Sequence, residues 1–334
     1  MPIPMKTFSL FHPASGPVLA AMLALACPGA VLAQVADDFN DGNDAGWTRY
    51  DPLAAFGLSA IFSFPGGGYR LQTTYLTGQA QNPGRAGSVL AGTYTNFYVS
   101  VDVVNWNDNL PQSFGVLARI GGLGLQQTTG YAFTWDRGTP SDPTGGDVDI
   151  SSITGEAPTG LTLLTLTNAY GGGDSIRLTN GNTYRFVFIG VGSRLEGRIY
   201  QHPDLVNPKI AVQATDSTYA SGRNGLVVFD NSGGQNQTDA TYDNWYMSDI
   251  EPPRLRISEA NVQTGDLVLT WPGYASNFVF EAANVLPGGT NWAPVTGAIF
   301  APGTFPLDPS NPNFLYFGST VGGDPRRVFR LRRP

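Results

Sequence analysis

The chain has 334 residues and is acidic: 19 Lys and Arg stand against 26 Asp and Glu, a net charge of −7, with two His and one Cys. That balance argues against binders of nucleic acid or anionic membrane, which concentrate basic charge. Gly (42) and Pro (25), with 41% hydrophobic residues and no sustained 3.6-residue apolar period, describe a folded, strand-rich chain rather than a helical or disordered one.

Residues 1–33 read as an export signal. Lys6 gives the positive start, Val18–Ala26 the short apolar core, and Val31-Leu32-Ala33 a small-residue cleavage site. The core is shorter than the roughly 20 apolar residues that span a bilayer, so no transmembrane segment is expected. Cleavage near Ala33 removes Lys6 and Cys27. The expected product is secreted or held at the cell surface, and has no cysteine for disulfides, thiolate chemistry or metal binding.

Strand signals then follow at sandwich-like spacing. The opening run Asp37–Trp47 (DDFNDGNDAGW) comes first, then Asn96–Trp106, Phe114–Ile120, Thr129–Asp136 and Asp147–Ile153. Leu161–Thr167, Ser175–Leu178, Thr183–Val191, Arg194–Tyr200 and Lys209–Ala214 come next, separated by Gly-rich, Pro-rich and Asn-Gly turns. Two further strands, Gly225–Phe229 and Ala240–Met247, close the run and are joined by a polar loop. A closed sandwich sets its first and last strands side by side, so Asp37–Trp47 is the expected neighbour of this closing pair. Many short strands with hairpin connections predict two packed antiparallel sheets.

The opening DDFNDGNDAGW, Leu195–Tyr200 (LEGRIY) and the ending SGRNGLVVFDNS…TDATYDNWYMS resemble the concanavalin A-like lectin/glucanase jelly rolls, the group that includes laminin G-like domains. The resemblance covers Gln34–Ile250. It implies an all-β fold, a two-sheet antiparallel jelly-roll sandwich. The group holds lectins, hydrolases, lyases and adhesion modules, so the fold does not choose among them. Beyond Glu251-Pro252-Pro253, residues 254–334 read as a smaller sandwich with strands Asp266–Trp271, Phe278–Ala282, Asn291–Val295, Phe314–Thr320 and Arg327–Arg332. The Leu-Thr-Trp strand is similar to that of fibronectin type III or immunoglobulin-like modules, and the closing RRVFRLRRP to the last strand of modules ending secreted bacterial proteins. Exposed arginines on a final strand block edge-to-edge aggregation, or dock an acidic cell-surface polymer.

Catalytic motifs are sparse. His202, in Gln201-His202-Pro203-Asp204, is the one histidine past the leader and reads as a turn residue. Glucanases of the resembled group carry Glu-x-Asp-x-x-Glu on one strand, and no glutamate here falls in that pattern. Arg194-x-Glu196-x-Arg198 is similar to an alginate-lyase strand, but the Gln-x-His and Tyr/Lys strands those enzymes need are absent.

Aromatic residues carry the case for binding. Tyr131, Phe133 and Trp135 alternate on one strand face, and Tyr98, Asp102 and Trp106 on another. Such a row either packs a sandwich core or forms a platform for sugar rings, with acids and amides accepting the hydroxyls. The expected carbohydrate-binding residues are Asp102, Trp106, Tyr131 and Trp135. For an enzyme with carboxylates drawn from separate strands, Asp102, Asp149 and Glu196 are the candidates.

Pairing the two ends also gathers Asp37, Asp38, Asp41 and Asp44 towards Asp239, Asp243 and Asp249, with no Lys or Arg in either stretch. Carboxylates crowded this way stay in water as solvated turn residues, bind their protons more tightly, or hold a structural calcium ion, for which Asp38 and Asp243 are the expected ligands. The sequence thus describes a glycan-binding or adhesion protein at or outside the cell surface, its partner a polysaccharide or cell-surface glycan, with the C-terminal module as a means of attachment. A polysaccharide-active enzyme is the alternative, and a matrix component without a ligand the third.

Overall fold

The computed structural model describes residues 34–73, 83–138, 145–161, 164–169, 173–231, 237–252, 256–261, 266–272, 279–284, 292–295, 299–303, 314–320 and 327–332. Among the described residues sixteen strands precede residue 250: β1 Val35–Asp37, β2 Trp47–Tyr50, β3 Ile61–Ser63, β4 Tyr69–Thr73, β5 Arg85–Leu90, β6 Phe97–Trp106, β7 Gln112–Ile120 and β8 Gly130–Asp136, then β9 Asp147–Thr154, β10 Ala157–Gly160, β11 Leu164–Asn168, β12 Tyr184–Val191, β13 Arg194–Gln201, β14 Ile210–Thr215, β15 Arg223–Asp230 and β16 Thr238–Ser248. They build two antiparallel sheets. One runs β11-β14-β13-β12-β6-β16-β4-β3, with β1 also paired to β16; the other runs β10-β9-β8-β7-β15-β5-β2. Together they form the two-sheet antiparallel sandwich.

Alternation explains which sequence makes which face. In β12, Phe186 and Phe188 point inward and Arg185 outward; in β13, Leu195 and Ile199 alternate with Glu196 and Arg198. Between the sheets, Trp106 packs on Phe114 at 5.5 Å and on Trp135 at 6.0 Å, and Phe133 on Phe186 at 5.8 Å. All five of these aromatics are almost fully buried. Each contributes about 1.5–3 kcal/mol through burial, which makes this aromatic layer the core.

The first and last strands do meet, Val35 opposite Met247 and Asp37 opposite Trp245. The closing strands β15 and β16 lie in different sheets, so the chain between them crosses from one sheet to the other instead of turning back on itself. Ser175–Leu178 makes a single bridge, Ser175 to Asp147, rather than a strand.

Residues 256–332 form two smaller antiparallel sheets: β17 Arg256–Asn261, β18 Asp266–Pro272, β21 Ile299–Gly303 and β22 Phe314–Thr320 in order β17-β18-β22-β21, and β19 Val279–Asn284, β20 Ala293–Pro294 and β23 Arg327–Arg332 in order β20-β19-β23. On β23, Arg330 and Arg332 both hold Glu281 of the neighbouring strand, each at 2.7 Å. Arg330 also lies 4.2 Å over the Trp292 ring. These two arginines therefore have partners within their own sheet and its flanking chain.

Candidate functional site: a cleft on the seven-stranded sheet

Each strand that sends an aromatic into the core sends its alternate residues to the outer face. On β8, inward Tyr131, Phe133 and Trp135 leave Ala132, Thr134 and Asp136 outside; on β7, inward Phe114 and Val116 leave Ser113, Gly115 and Leu117. These small outer residues form the floor of a cleft of about 280 Å³. Phe229 and Asn231 from β15 and its exit, and Asp149 and Ser151 from β9, line one part; Tyr50, Arg85 and Glu156 line another.

The polar groups in this cleft are not used up internally. Among the described residues, no hydrogen-bond partner reaches the side chains of Thr134, Asp149 or Ser151. Ser151 is 9% exposed. Its hydroxyl is open to the cleft, so it and the other two side chains can pair with a ligand that enters. Phe229 is half-buried beside them, with Asn231 donating to the Ser113 hydroxyl.

Asp149 is the electrostatic centre of the site. Burial pushes its carboxyl above the usual carboxylate range, and Asp174, Asp147 and Asp136 push it further. A raised carboxyl binds its proton more tightly folded than unfolded. The protein therefore loses stability as pH rises from about 3.9, the unfolded value, through the folded one. At neutral pH the ionised group is a liability, and Asp149→Asn is expected to add about 0.5–2 kcal/mol, a melting rise of roughly 1–8 °C. The same substitution should weaken ligand binding. A melting temperature at pH 7 that is unchanged or lower would sink this account.

The expected binding residues lie elsewhere. Trp106 (2% exposed), Tyr131 (0%) and Trp135 (0%) belong to the core between the sheets, so they cannot form an exposed platform. The Trp135 indole N–H donates to the Ile176 carbonyl at 2.8 Å, and the Tyr131 hydroxyl donates to Asp216 at 2.5 Å. Asp102 is on the outer face of the other sheet, 1% exposed, and fully engaged. It accepts two bonds from Arg185 at 2.8 Å, one from His202 Nε2 at 3.0 Å and one from Asn244 at 3.2 Å. His202 is in a turn, as expected, and anchors that turn to the sheet. Glu196 is held by Arg194 and Arg198, both at 2.6 Å, and Arg198 also takes Glu251 at 2.8 Å. Of the three candidate catalytic acids only Asp149 is in the cleft.

The two expected calcium ligands, Asp38 and Asp243, lie close together in the fold: burial, then Asp102 and Asp38, raises the Asp243 carboxyl. Two of the other acids, Asp44 and Asp239, are paired with arginines from outside the two acidic stretches, while Asp37 accepts from the Phe39 and Trp47 N–H groups and Asp41 from the Asn43 N–H. Arg49 takes Asp44 at 2.6 Å and Arg70 takes Asp239 at 2.6 Å. Calcium takes 6–8 oxygen ligands. Among the described residues no group of three or more His, Cys, Asp or Glu side chains gathers that could hold a metal ion.

No protein-family model matches this sequence, and no curated protein matches it. Solved structures do show likeness. The carbohydrate-binding module CBM66 from Bacillus subtilis is 14% identical, covering 62% of this chain and 97% of that one, with a TM-score of 0.41. Lectin II from Ulex europaeus is 13% identical over 66% of this chain and 99% of its own, TM-score 0.41. A prokaryotic β-1,3-1,4-glucanase (lichenase) derived from a mouse hindgut metagenome is 13% identical over 65% and 99%, TM-score 0.43. Likeness at this level carries no weight for function, and the sandwich stands on its own strand pairing.

Proposed function

We propose that this protein binds a polysaccharide or cell-surface glycan in the cleft of the seven-stranded sheet. One observation supports the reading above all: Thr134, Asp149 and Ser151, without hydrogen-bond partners among the described residues, line a cleft that also holds the half-buried ring of Phe229. A sugar meets both demands at once. Its hydroxyls pair with the carboxylate and hydroxyls, and its C–H face packs on the phenyl ring. The leader-like first 33 residues fit this role outside the cytoplasm, where glycan polymers are found.

A glycan array tests it. The protein is expected to retain linear glycans, and Phe229→Ala to weaken that binding about tenfold, equivalent to roughly 1.4 kcal/mol. No retention on any glycan, or binding indifferent to both Phe229→Ala and Asp149→Asn, would refute the cleft as the site.

Hydrolysis is the second reading, and Asp149 is what favours it. A carboxyl with a raised pKa, beside Asp136 on the adjoining strand, supplies the two acids that glycosidic cleavage needs. Release of reducing sugar that Asp149→Asn abolishes would make the protein an enzyme; binding without release supports the lectin reading.

A further inference from the structure

The cleft crosses its sheet in rows, and the rows show where it stops. Phe229 stands between Arg85 and Ser113, and Ser113 opposite Asp136. In the next row Val227 is paired with Gly87 and Gly115, and Thr134 with Asp149. Strand β9 leads away from this polar end, through Ser151 and Ile153, to the β9–β10 turn at Gly155 and Glu156. That turn belongs to one side of the sheet, yet Glu156 is bonded to the other. Its carboxylate accepts from Arg85 on β5 at 2.8 and 3.1 Å, from the Tyr50 hydroxyl on β2, and from the Gln126 backbone N–H at 2.6 Å. In sheet order β8, β7 and β15 lie between β9 and β5. The turn is therefore strapped across the outer face. Beneath the strap, Val89, Leu117, Ile120, Ala132, Ile153 and Val227 form an apolar cluster in which no member exceeds 9% exposure, and Leu117, Ala132, Ile153 and Val227 are the apolar part of the cleft floor.

We propose that the cleft is blind at the Glu156 end and recognises the terminus of a glycan chain rather than its middle. This rests on the glycan-binding reading above. A chain lying through the cleft would have to pass the Arg85–Glu156 ion pair, which is tied to Tyr50 and the Gln126 backbone over an apolar floor that offers no partner for a sugar hydroxyl. A chain end entering beside Phe229 and Asp136 meets Thr134, Asp149 and Ser151, and goes no further. At about 280 Å³ the space falls at the lower end of ligand pockets, where a terminal unit or two would fill it.

The test is calorimetric titration with a length series of the strongest linear glycan from the array, from disaccharide to polymer. One protein bound per chain at every length, with affinity per chain levelling off once the cleft is filled, is expected. Proteins bound per chain rising in proportion to length would overturn terminal recognition and leave glycan binding standing. Failure to bind any array glycan would overturn both. Glu156→Gln, which weakens the strap, is expected to raise the number bound per long chain above one. If that variant does not fold, the wild-type stoichiometry decides the question alone.

Discussion

Asp102→Ala is expected to cost about 3–5 kcal/mol and to lower the melting temperature by roughly 6–20 °C. Asp102 is 1% exposed and accepts four bonds from three residues, so its loss strands the Arg185 guanidinium in a partly buried place. The carboxylate in turn holds Arg185 above its ordinary pKa, chiefly through the hydrogen bonds between them. Removing one partner of such a pair is far more costly than removing both, because a poorly hydrated charge is left without its counter-ion. The double replacement Asp102→Leu with Arg185→Met should therefore recover most of the loss. Thermal melting of the two single variants and the double variant measures the coupling directly. Glycan binding at a temperature where Asp102→Ala is still folded should match wild type, since Asp102 faces away from the cleft. Melting within a degree of wild type, or selective loss of binding by a fully folded variant, would refute this structural role.

The contrast between Asp102 and Asp149 shows what the sequence could convey. Long strands with strong alternation were legible: Phe97–Trp106, Tyr184–Val191 and Arg194–Gln201 stand within a residue of their expected limits. Trp47–Tyr50, Ile61–Ser63, Tyr69–Thr73, Arg85–Leu90 and Ala157–Gly160 were not seen as strands. Four of these five are short, and Arg85–Leu90 is buried on both faces and carries Gly and Ser in place of a period-two pattern. Alternation itself says that Tyr131, Phe133 and Trp135 share a face, not which face. With core on one side and cleft on the other, the bulky set went inward and the small set made the site. Nothing in Ala132, Thr134, Ser113 or Gly115 marks a binding residue when read singly. Only the register of β15, β7, β8 and β9 brings them together.

Charge pairing was hidden for the same reason. The acidic runs near both ends contain no base of their own, which suggested a metal ion. The sheet supplies Arg70 from another strand, which meets Asp239 across 169 positions of sequence, while Arg49, just past the first run, takes Asp44. A local count of acids and bases cannot anticipate neutralisation between strands so far apart. Arginine suits this work, because its planar fork grips a carboxylate with two parallel bonds, as at Asp102 and Asp239.

Glu156→Ala is expected to be as damaging as the loss of Asp102, and to show it through pH. The Arg85 and Glu156 side chains are 8% and 5% exposed, so the variant leaves a buried guanidinium unpaired, along with the Tyr50 hydroxyl and the Gln126 N–H. The expected cost is again about 3–5 kcal/mol. Burial raises the Glu156 carboxyl, but Arg85, the Gln126 N–H and Tyr50 outweigh it and the net shift is downward. A carboxyl held below its unfolded value, about 4.3, lends its stability in full above that pH and loses it as pH falls through the folded value. Melting of wild type and Glu156→Ala should therefore differ most near pH 7, and the gap should narrow as pH falls below about 4.3 through the folded value. Other carboxylates titrate in the same range, but they do so in both proteins, so the difference between them isolates Glu156. A gap that stays constant down to about pH 3 would mean that the Arg85–Glu156 pair is not what holds the β9–β10 turn across the sheet.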